Sequence, residues 1–204
     1  MCGILGLYHE KDYFLTLDKF SSILNDIHHR GPDASGSEEF SIDGGVVKLG
    51  HKRLSILDIS DAGNQPMSSG NGRFSVIYNG EIYNHMKLRK KIEAEHDVHW
   101  KSSSDTETLL TLFERRDVST VFKEVEGMFA FALFDKAQKK LIIARDRAGE
   151  KPLYVSVNNK FLGFSSELSP LRKFPNFNSE IDKISLKYYL QYNYVPHPLS
   201  IFSG

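Results

Sequence analysis

The stretch Gly127-Met128-Phe129-Ala130-Phe131-Ala132-Leu133-Phe134-Asp135 constrains this chain more than any other. Both faces that it would present as a strand are apolar, so it reads as a central strand sandwiched by other layers. A second apolar run, Leu141 to Ala144, follows after a lysine-rich turn. Two hairpins are written as alternating segments around turn residues: Phe40 to Leu49 around Asp43-Gly44-Gly45, and Leu153–Val157 with Lys160–Phe164 around Asn158-Asn159. Gly3 to Tyr8 reads as a short strand that buries the N-terminus, and Arg73 to Tyr78 as a strand with Phe74, Val76 and Tyr78 on one face.

Helices fill the intervals. Phe14, Leu17, Phe20, Leu24 and Ile27 recur at three- and four-residue spacing, which predicts an amphipathic helix over about 15 to 28. Asn84 is an N-cap candidate before Leu88 and Ile92, and Ser104-Asp105-Thr106-Glu107 matches a capping box ahead of an apolar stripe to about residue 115. Ser166 to Leu171 is a short turn or helix. The stretch 182 to 192 predicts a final helix, with Ile184, Tyr188 and Leu190 or Gln191 competing for its inner face.

Chemistry begins at Cys2, the single cysteine of the chain, one peptide bond from its start. Removal of Met1 would place a thiol and a free α-amine on one residue. An amine titrating near ~7.7–8.0 can accept the thiol proton directly or through a water. Arg53, between apolar residues at a strand end, can present its planar fork to a carboxylate. Asn79-Gly80 at the end of Arg73–Tyr78 is a turn signal by frequency. The alternative is an oxyanion hole, with the Asn79 amide and the Gly80 N–H converging on one oxygen while glycine lets substrate approach the backbone. The helical pattern that follows disfavours a hairpin. Asp105, read as an exposed first-turn carboxylate, either serves the helix dipole or receives an ammonium group. Arg30-Gly31-Pro32-Asp33 is a turn, and Arg145-Asp146-Arg147 with Glu150-Lys151 reads as a salt-bridged loop. His28 and His29 diverge on a helix and have no further ligand cluster nearby, so no metal site is expected.

Lys+Arg and Asp+Glu are equal at 26 each, which removes the electrostatic case for nucleic acid or an anionic membrane surface. No unbroken apolar run of spanning length occurs, and no signal-peptide pattern opens the chain. A reducing cytoplasm is expected for a lone free thiol. The 204 residues carry no repeat or low-complexity linker and read as a single domain.

Taken together in order, Cys2-Gly3-Ile4, Arg30-Gly31-Pro32-Asp33, Arg53-Leu54-Ser55-Ile56, Tyr78-Asn79-Gly80-Glu81-Ile82-Tyr83-Asn84, Ser104-Asp105-Thr106-Glu107, Gly127 to Ala132 and Arg145-Asp146-Arg147 resemble the glutaminase domain of glutamine-hydrolysing asparagine synthetases. These are class II glutamine amidotransferases among the N-terminal-nucleophile hydrolases. The resemblance implies an α+β fold, a four-layer αββα sandwich of two antiparallel sheets. It implies L-glutamine as substrate, Cys2 as nucleophile with its own amine as base, and Asn79 with the Gly80 N–H as oxyanion hole. Arg53 would clamp the α-carboxylate, backbone near Leu54 and Ile56 would help to hold substrate, and Glu81 and Asp105 would receive the α-ammonium.

The resemblance implies no cofactor for this domain, with ATP and Mg²⁺ needed only by a synthetase domain or a separate ammonia-accepting protein, and it allows a homodimer. The Ser-Gly-Gly-x-Asp-Ser loop of that synthetase domain is not among these residues, which reads as an excised or truncated domain, with a free-standing glutaminase as the alternative. Ala148 and Glu150 stand where the family commonly has Phe and an aliphatic, so the face toward a second domain is expected to differ. The competing reading is a non-catalytic glutamine-binding or partner-binding module with a blocked N-terminus.

Overall fold

A computed structural model describes residues 1–11, 15–175 and 177–203. Phe14, the first residue of the expected helical stripe, lies outside them. The chain forms β1 (Gly3–Glu10), α1 (Leu17–Leu24), a 3-10 turn (Asn25–Arg30), β2 (Ala34–Ile42), β3 (Gly45–Arg53), β4 (Met67–Ser68), β5 (Phe74–Ile82), α2 (His85–Glu95), α3 (Asp105–Arg115), α4 (Val118–Glu124), β6 (Gly127–Asp135), β7 (Lys140–Arg145), β8 (Tyr154–Asn158), β9 (Phe161–Ser165), α5 (Leu168–Leu171) and α6 (Lys183–Tyr192).

Two antiparallel sheets result, one ordered β2-β3-β1-β9-β8 and the other β4-β5-β6-β7. Ile4, Val47, Leu49, Ile77, Ala130, Ala132, Phe134 and Phe164 fill the space between them. Leu5, Leu7, Phe161 and Phe174 pack outward against Phe20, Leu24 and Ile27 from α1 and the 3-10 turn. On the far side, Val76, Tyr78 and Phe131 pack against Leu88 of α2, Leu109 and Phe113 of α3 and Val121 of α4. Helix, sheet, sheet, helix is therefore the layer order, as expected. Both faces of β6 are covered because it is internal to its sheet and to the stack.

Three local expectations change. The helix expected to reach about residue 28 stops at Leu24 and tightens into the 3-10 turn, where Ile27 leaves helical geometry. The tightening feeds Gly31 flat against β3, where a Cβ would overlap the Lys52 carbonyl. The strand expected to end at Tyr78 continues through Asn79 and Gly80 to Ile82, paired with β6 throughout, so Asn79-Gly80 makes no turn. On α6, Ile184 and Leu190 are exposed and Ser185 is the buried residue, so the expected inner face is not the one that packs. Among the described residues, no helix is long and apolar enough to cross a membrane.

Candidate active site

Cys2 lies one residue before β1, level with the end of β3. Even-numbered residues of β1 face the second sheet, as Ile4 does, and odd-numbered residues of β5 face the first, as Ile77 does. By this alternation Cys2 and Asn79 look toward each other across the sandwich. A cavity of about 210 Å³ opens between them, lined by Cys2, Arg53, Leu54, Ile56, Asn79, Gly80, Glu81 and Asp105. All eight residues singled out in the sequence thus meet in one place.

The thiol is half-buried, and the Leu54 N–H donates to its Sγ at 3.4 Å. Burial pushes the Cys2 thiol up from its ordinary range, against the lowering pull of the Leu54 N–H, the N-terminal charge and Arg53. Arg30 donates through Nε to the Cys2 carbonyl at 3.1 Å and through Nη1 to Glu167 at 3.1 Å, fixing the backbone that carries the thiol. The turn after Arg30 is part of the same arrangement: the Asp33 carboxylate accepts from Ser55 N at 2.8 Å, and Asp33 N donates to the Arg53 carbonyl at 3.0 Å. His29 Nε2 lies 2.8 Å from Glu167 Oε1, on the carboxylate that Arg30 also contacts.

Asn79 is 1% exposed, and its amide nitrogen is buried with no hydrogen-bond partner among the described residues. An unpaired buried amide is costly, about 1–3 kcal/mol, so Asn79 Nδ2 is a donor available to an acceptor in the cavity. The pairing of β5 with β6 by itself requires glycine at position 80. Gly80 and Phe129 form a close non-hydrogen-bonded pair of β5 and β6, and a Cβ at Gly80 would overlap the Met128 carbonyl.

Arg53 is buried and donates through Nη1 to Ser60 O at 2.7 Å and Asn64 Oδ1 at 2.8 Å, and through Nη2 to Asp58 O. Three of its five donors therefore hold the segment 58–64, leaving Nε and one N–H of Nη2. Gly63 makes room for it, since a Cβ there would overlap Nη2. Asp105 is buried, not exposed as its helix position suggested. Its Oδ2 accepts from Tyr78 Oη at 2.7 Å and Ile82 N at 2.9 Å, and Oδ1 has no partner among the described residues. Glu81 is exposed at the rim.

His51, fully buried beneath the site, donates from Nε2 to the Tyr78 carbonyl at 3.0 Å and so ties β3 to β5. Burial pushes it down to about 3, with Arg53 nearby adding to the effect, so the ring is neutral. Sequence reasoning missed His51, Gly63, Gln65, Tyr78 as a partner of Asp105, and Lys151. Lys151 lines the cavity and reaches Met1 Sδ at 3.4 Å.

Two capping expectations are corrected. Asn84 sits at the cap of α2, but its side chain bridges Glu124 O and Glu126 N instead. Ser104 caps α3 through Glu107 N at 3.3 Å, whereas Glu107 turns to Lys101 N and Ser102 N, so the reciprocal half of the box is not made. Among the described residues, the 145–151 loop holds no internal ion pair. Asp146 takes backbone N–H groups, and Arg145 and Arg147 donate to carbonyls. At Ala148 and Glu150 the surface carries a hollow of about 340 Å³ lined by Phe122, Val125 and Phe129.

A thiol, a buried unpaired amide donor, a guanidinium and a buried carboxylate thus meet in one small cavity between the sheets of an αββα sandwich. The sequence profile of the glutamine amidotransferase domain matches residues 1–204, and the chain belongs to that family. It is 36% identical over 206 residues to asparagine synthetase [glutamine-hydrolyzing] 1 of Bacillus subtilis, covering 98% of this chain and 31% of that protein. It is 32% identical over 220 residues to a putative asparagine synthetase [glutamine-hydrolyzing] 2 of Methanocaldococcus jannaschii, covering 100% and 42%. The chain thus spans less than half the length of either relative. Among solved structures, glutamine phosphoribosylpyrophosphate amidotransferase from B. subtilis, with ADP and GMP, superposes with a TM-score of 0.67 at 21% identity, covering 84% of this chain and 43% of that one. That likeness is one of fold.

Proposed function

We propose that the chain hydrolyses L-glutamine to L-glutamate and ammonia through a γ-glutamyl thioester on Cys2. The carrying observation is that the buried, unpaired Asn79 amide nitrogen lines the same cavity as the Cys2 thiol. With Met1 removed, the α-amine of Cys2 takes the thiol proton and the sulfur attacks the γ-carbonyl carbon. Asn79 Nδ2 and the Gly80 N–H receive the oxyanion, and the amine returns its proton to the departing ammonia. Water then cleaves the thioester to glutamate and restores the thiol.

Arg53, through the donors not committed to its loop, pairs with the α-carboxylate. Asp105 Oδ1 and Glu81 take the ammonium, and backbone near Leu54 and Ile56 completes the pocket. None of these steps uses a metal or cofactor; ATP and Mg²⁺ belong to the amide-forming step of a synthetase domain or partner that consumes the ammonia, in a cytoplasmic setting suited to a free thiol. The protein functions alone or as a homodimer in this scheme.

One observation favours the non-catalytic reading while Met1 is attached. Its side chain lines the cavity against Lys151, and the Cys2 nitrogen is then an amide without basicity. Ammonia release from glutamine, measured beside the intact mass, decides between the two. Met1-free protein turns over, Cys2→Ala does not, and a diazo-ketone analogue of glutamine labels Cys2. A Met1-free protein with neither turnover nor label overturns the glutaminase reading.

A further inference from the structure

Both backbone groups of Phe129 point to Asp146, whose Oδ2 accepts from Phe129 N at 3.2 Å and whose N–H donates to Phe129 O at 2.8 Å. Since Gly80 pairs with Phe129, its own N–H is turned away from β6, and so are those of the other even-numbered residues of β5. Along this edge each donor can be followed. Phe74 N donates to Ser69 Oγ at 3.0 Å, Val76 pairs with Met67 of β4, Tyr78 N donates to Gln65 Oε1 at 2.7 Å, and Ile82 N donates to Asp105 Oδ2 at 2.9 Å. Only Gly80 N lacks a partner among the described residues. The gap is one residue wide, and a side-chain acceptor closes it on either side.

Gln65 is the acceptor without a function so far. It is buried, lines the cavity, and is held at its far end by Nε2 donating to Thr106 Oγ1 at 3.3 Å. Its backbone is equally constrained, because a Cβ on Gly36 would overlap the Gln65 carbonyl. The Tyr78 N–H requires an acceptor, which assigns Oε1 and Nε2 without ambiguity.

We propose that Gln65 is a positioning residue for the anion-binding pair. By substituting for the missing strand at Tyr78, it holds the β5 edge so that Gly80 N–H and Asn79 Nδ2 converge on the oxygen that becomes negative in the transition state. This rests on the glutaminase reading above. Thr106, beside Asp105 at the start of α3, carries the far anchor, so the same tie sets the donor pair relative to the ammonium site. Donors aimed at a transition-state oxygen lose effect on small displacements, whereas ground-state binding tolerates them.

The test separates the two readings. In Met1-free protein, Gln65→Leu should lower kcat for ammonia release by about 10–100-fold and change the glutamine KM by less than about threefold. Glutamate γ-semialdehyde, whose adduct with the thiol places an oxygen between the same donors, should bind Gln65→Leu more weakly by a factor similar to the loss in kcat. Glutamate, which forms no adduct, should bind within about threefold of wild type. Thr106→Val, which removes only the far anchor, should shift the semialdehyde-to-glutamate affinity ratio in the same direction by a smaller factor, and it carries the test if Gln65→Leu does not fold. Equal weakening of semialdehyde and glutamate, kcat and KM moving together, or an unchanged ratio in an active protein overturns the proposal. A wild type that neither releases ammonia nor forms the adduct overturns the glutaminase reading, and this one with it.

Discussion

The loops after Arg53 and after Arg145 both wrap around a guanidinium that donates to their own carbonyls, Asp58 and Ser60 in one case, Gly149 and Lys151 in the other. Each also carries one organising aspartate, and there the likeness ends. Asp146 is buried and accepts from the backbone N–H groups of Phe129, Glu150 and Lys151. Asp58 is half-exposed and accepts from Ser60 and Ser103 at the surface, between Ile56, 70% exposed, and Ile59, 87% exposed. The first loop is an extension of the core, set by main-chain geometry. The second lies beside the thiol, held from within by buried Arg53 and at the surface by the solvent-accessible bonds of Asp58. An arginine and an aspartate serve both loops, yet the buried aspartate and the half-exposed one do not weigh equally, because burial decides what a hydrogen bond contributes.

The comparison is most exposed at Asp146. Burial alone would raise its carboxyl, yet the N–H groups of Lys151, Glu150, Phe129 and Gly149 together hold it below the usual range. Replacing it with alanine leaves several buried N–H groups unpaired, and about 3 kcal/mol of stability should be lost in urea unfolding. A loss below about 1 kcal/mol would make the 145–151 loop no more than a surface connection.

At Arg53 the expectation reverses. Arg53→Ala should show its main effect in binding, raising the glutamine KM on the order of 100-fold, since both the carboxylate partner and the tie of the 58–64 segment are removed. An unchanged KM would take Arg53 out of substrate binding.

The smallest effect belongs to Asp58. The Ser60 hydroxyl, then the Ser103 and Ser60 N–H groups, hold its carboxyl well below the usual carboxylate range. A group depressed in this way supports closure above its free value of about 3.9, and the support is lost as pH falls through the lower value of the closed loop. Glutamine affinity measured calorimetrically on Cys2→Ala, free of the chemical step, should therefore be flat near neutrality and weaken below about pH 4. Asp58→Asn should bind about threefold more weakly at pH 7 and lack that acid limb. An identical acid limb in both proteins would assign it elsewhere.

The members of the site were legible because each is a chemical type with few other uses at its position: a thiol at residue 2, an arginine closing a strand, an Asn-Gly pair before a helix. Their supports were not. Gln65 stands in what reads as a loop, and its role depends on β4 beginning only at Met67, which leaves Tyr78 N without a backbone partner from that strand. Asp105 reads as a helix-start carboxylate, and only the packing of α3 on β5 buries it against Tyr78 and Ile82. The apolar residues of α6 misled for the converse reason: a stripe shows which side can be covered, not whether this chain covers it.

What the sequence determined by itself was local and periodic. The two-sided apolar run at β6, the alternation of β2 with β3 and of β8 with β9, and the stripes of α1 and α3 follow from which side chains must leave water. Tertiary structure alone decided where the backbone is left unpaired. Ladder hydrogen bonds are shared between segments far apart in the chain, so the free N–H of Gly80 exists only once β6, β4, Gln65 and Asp105 have each taken up their places around it.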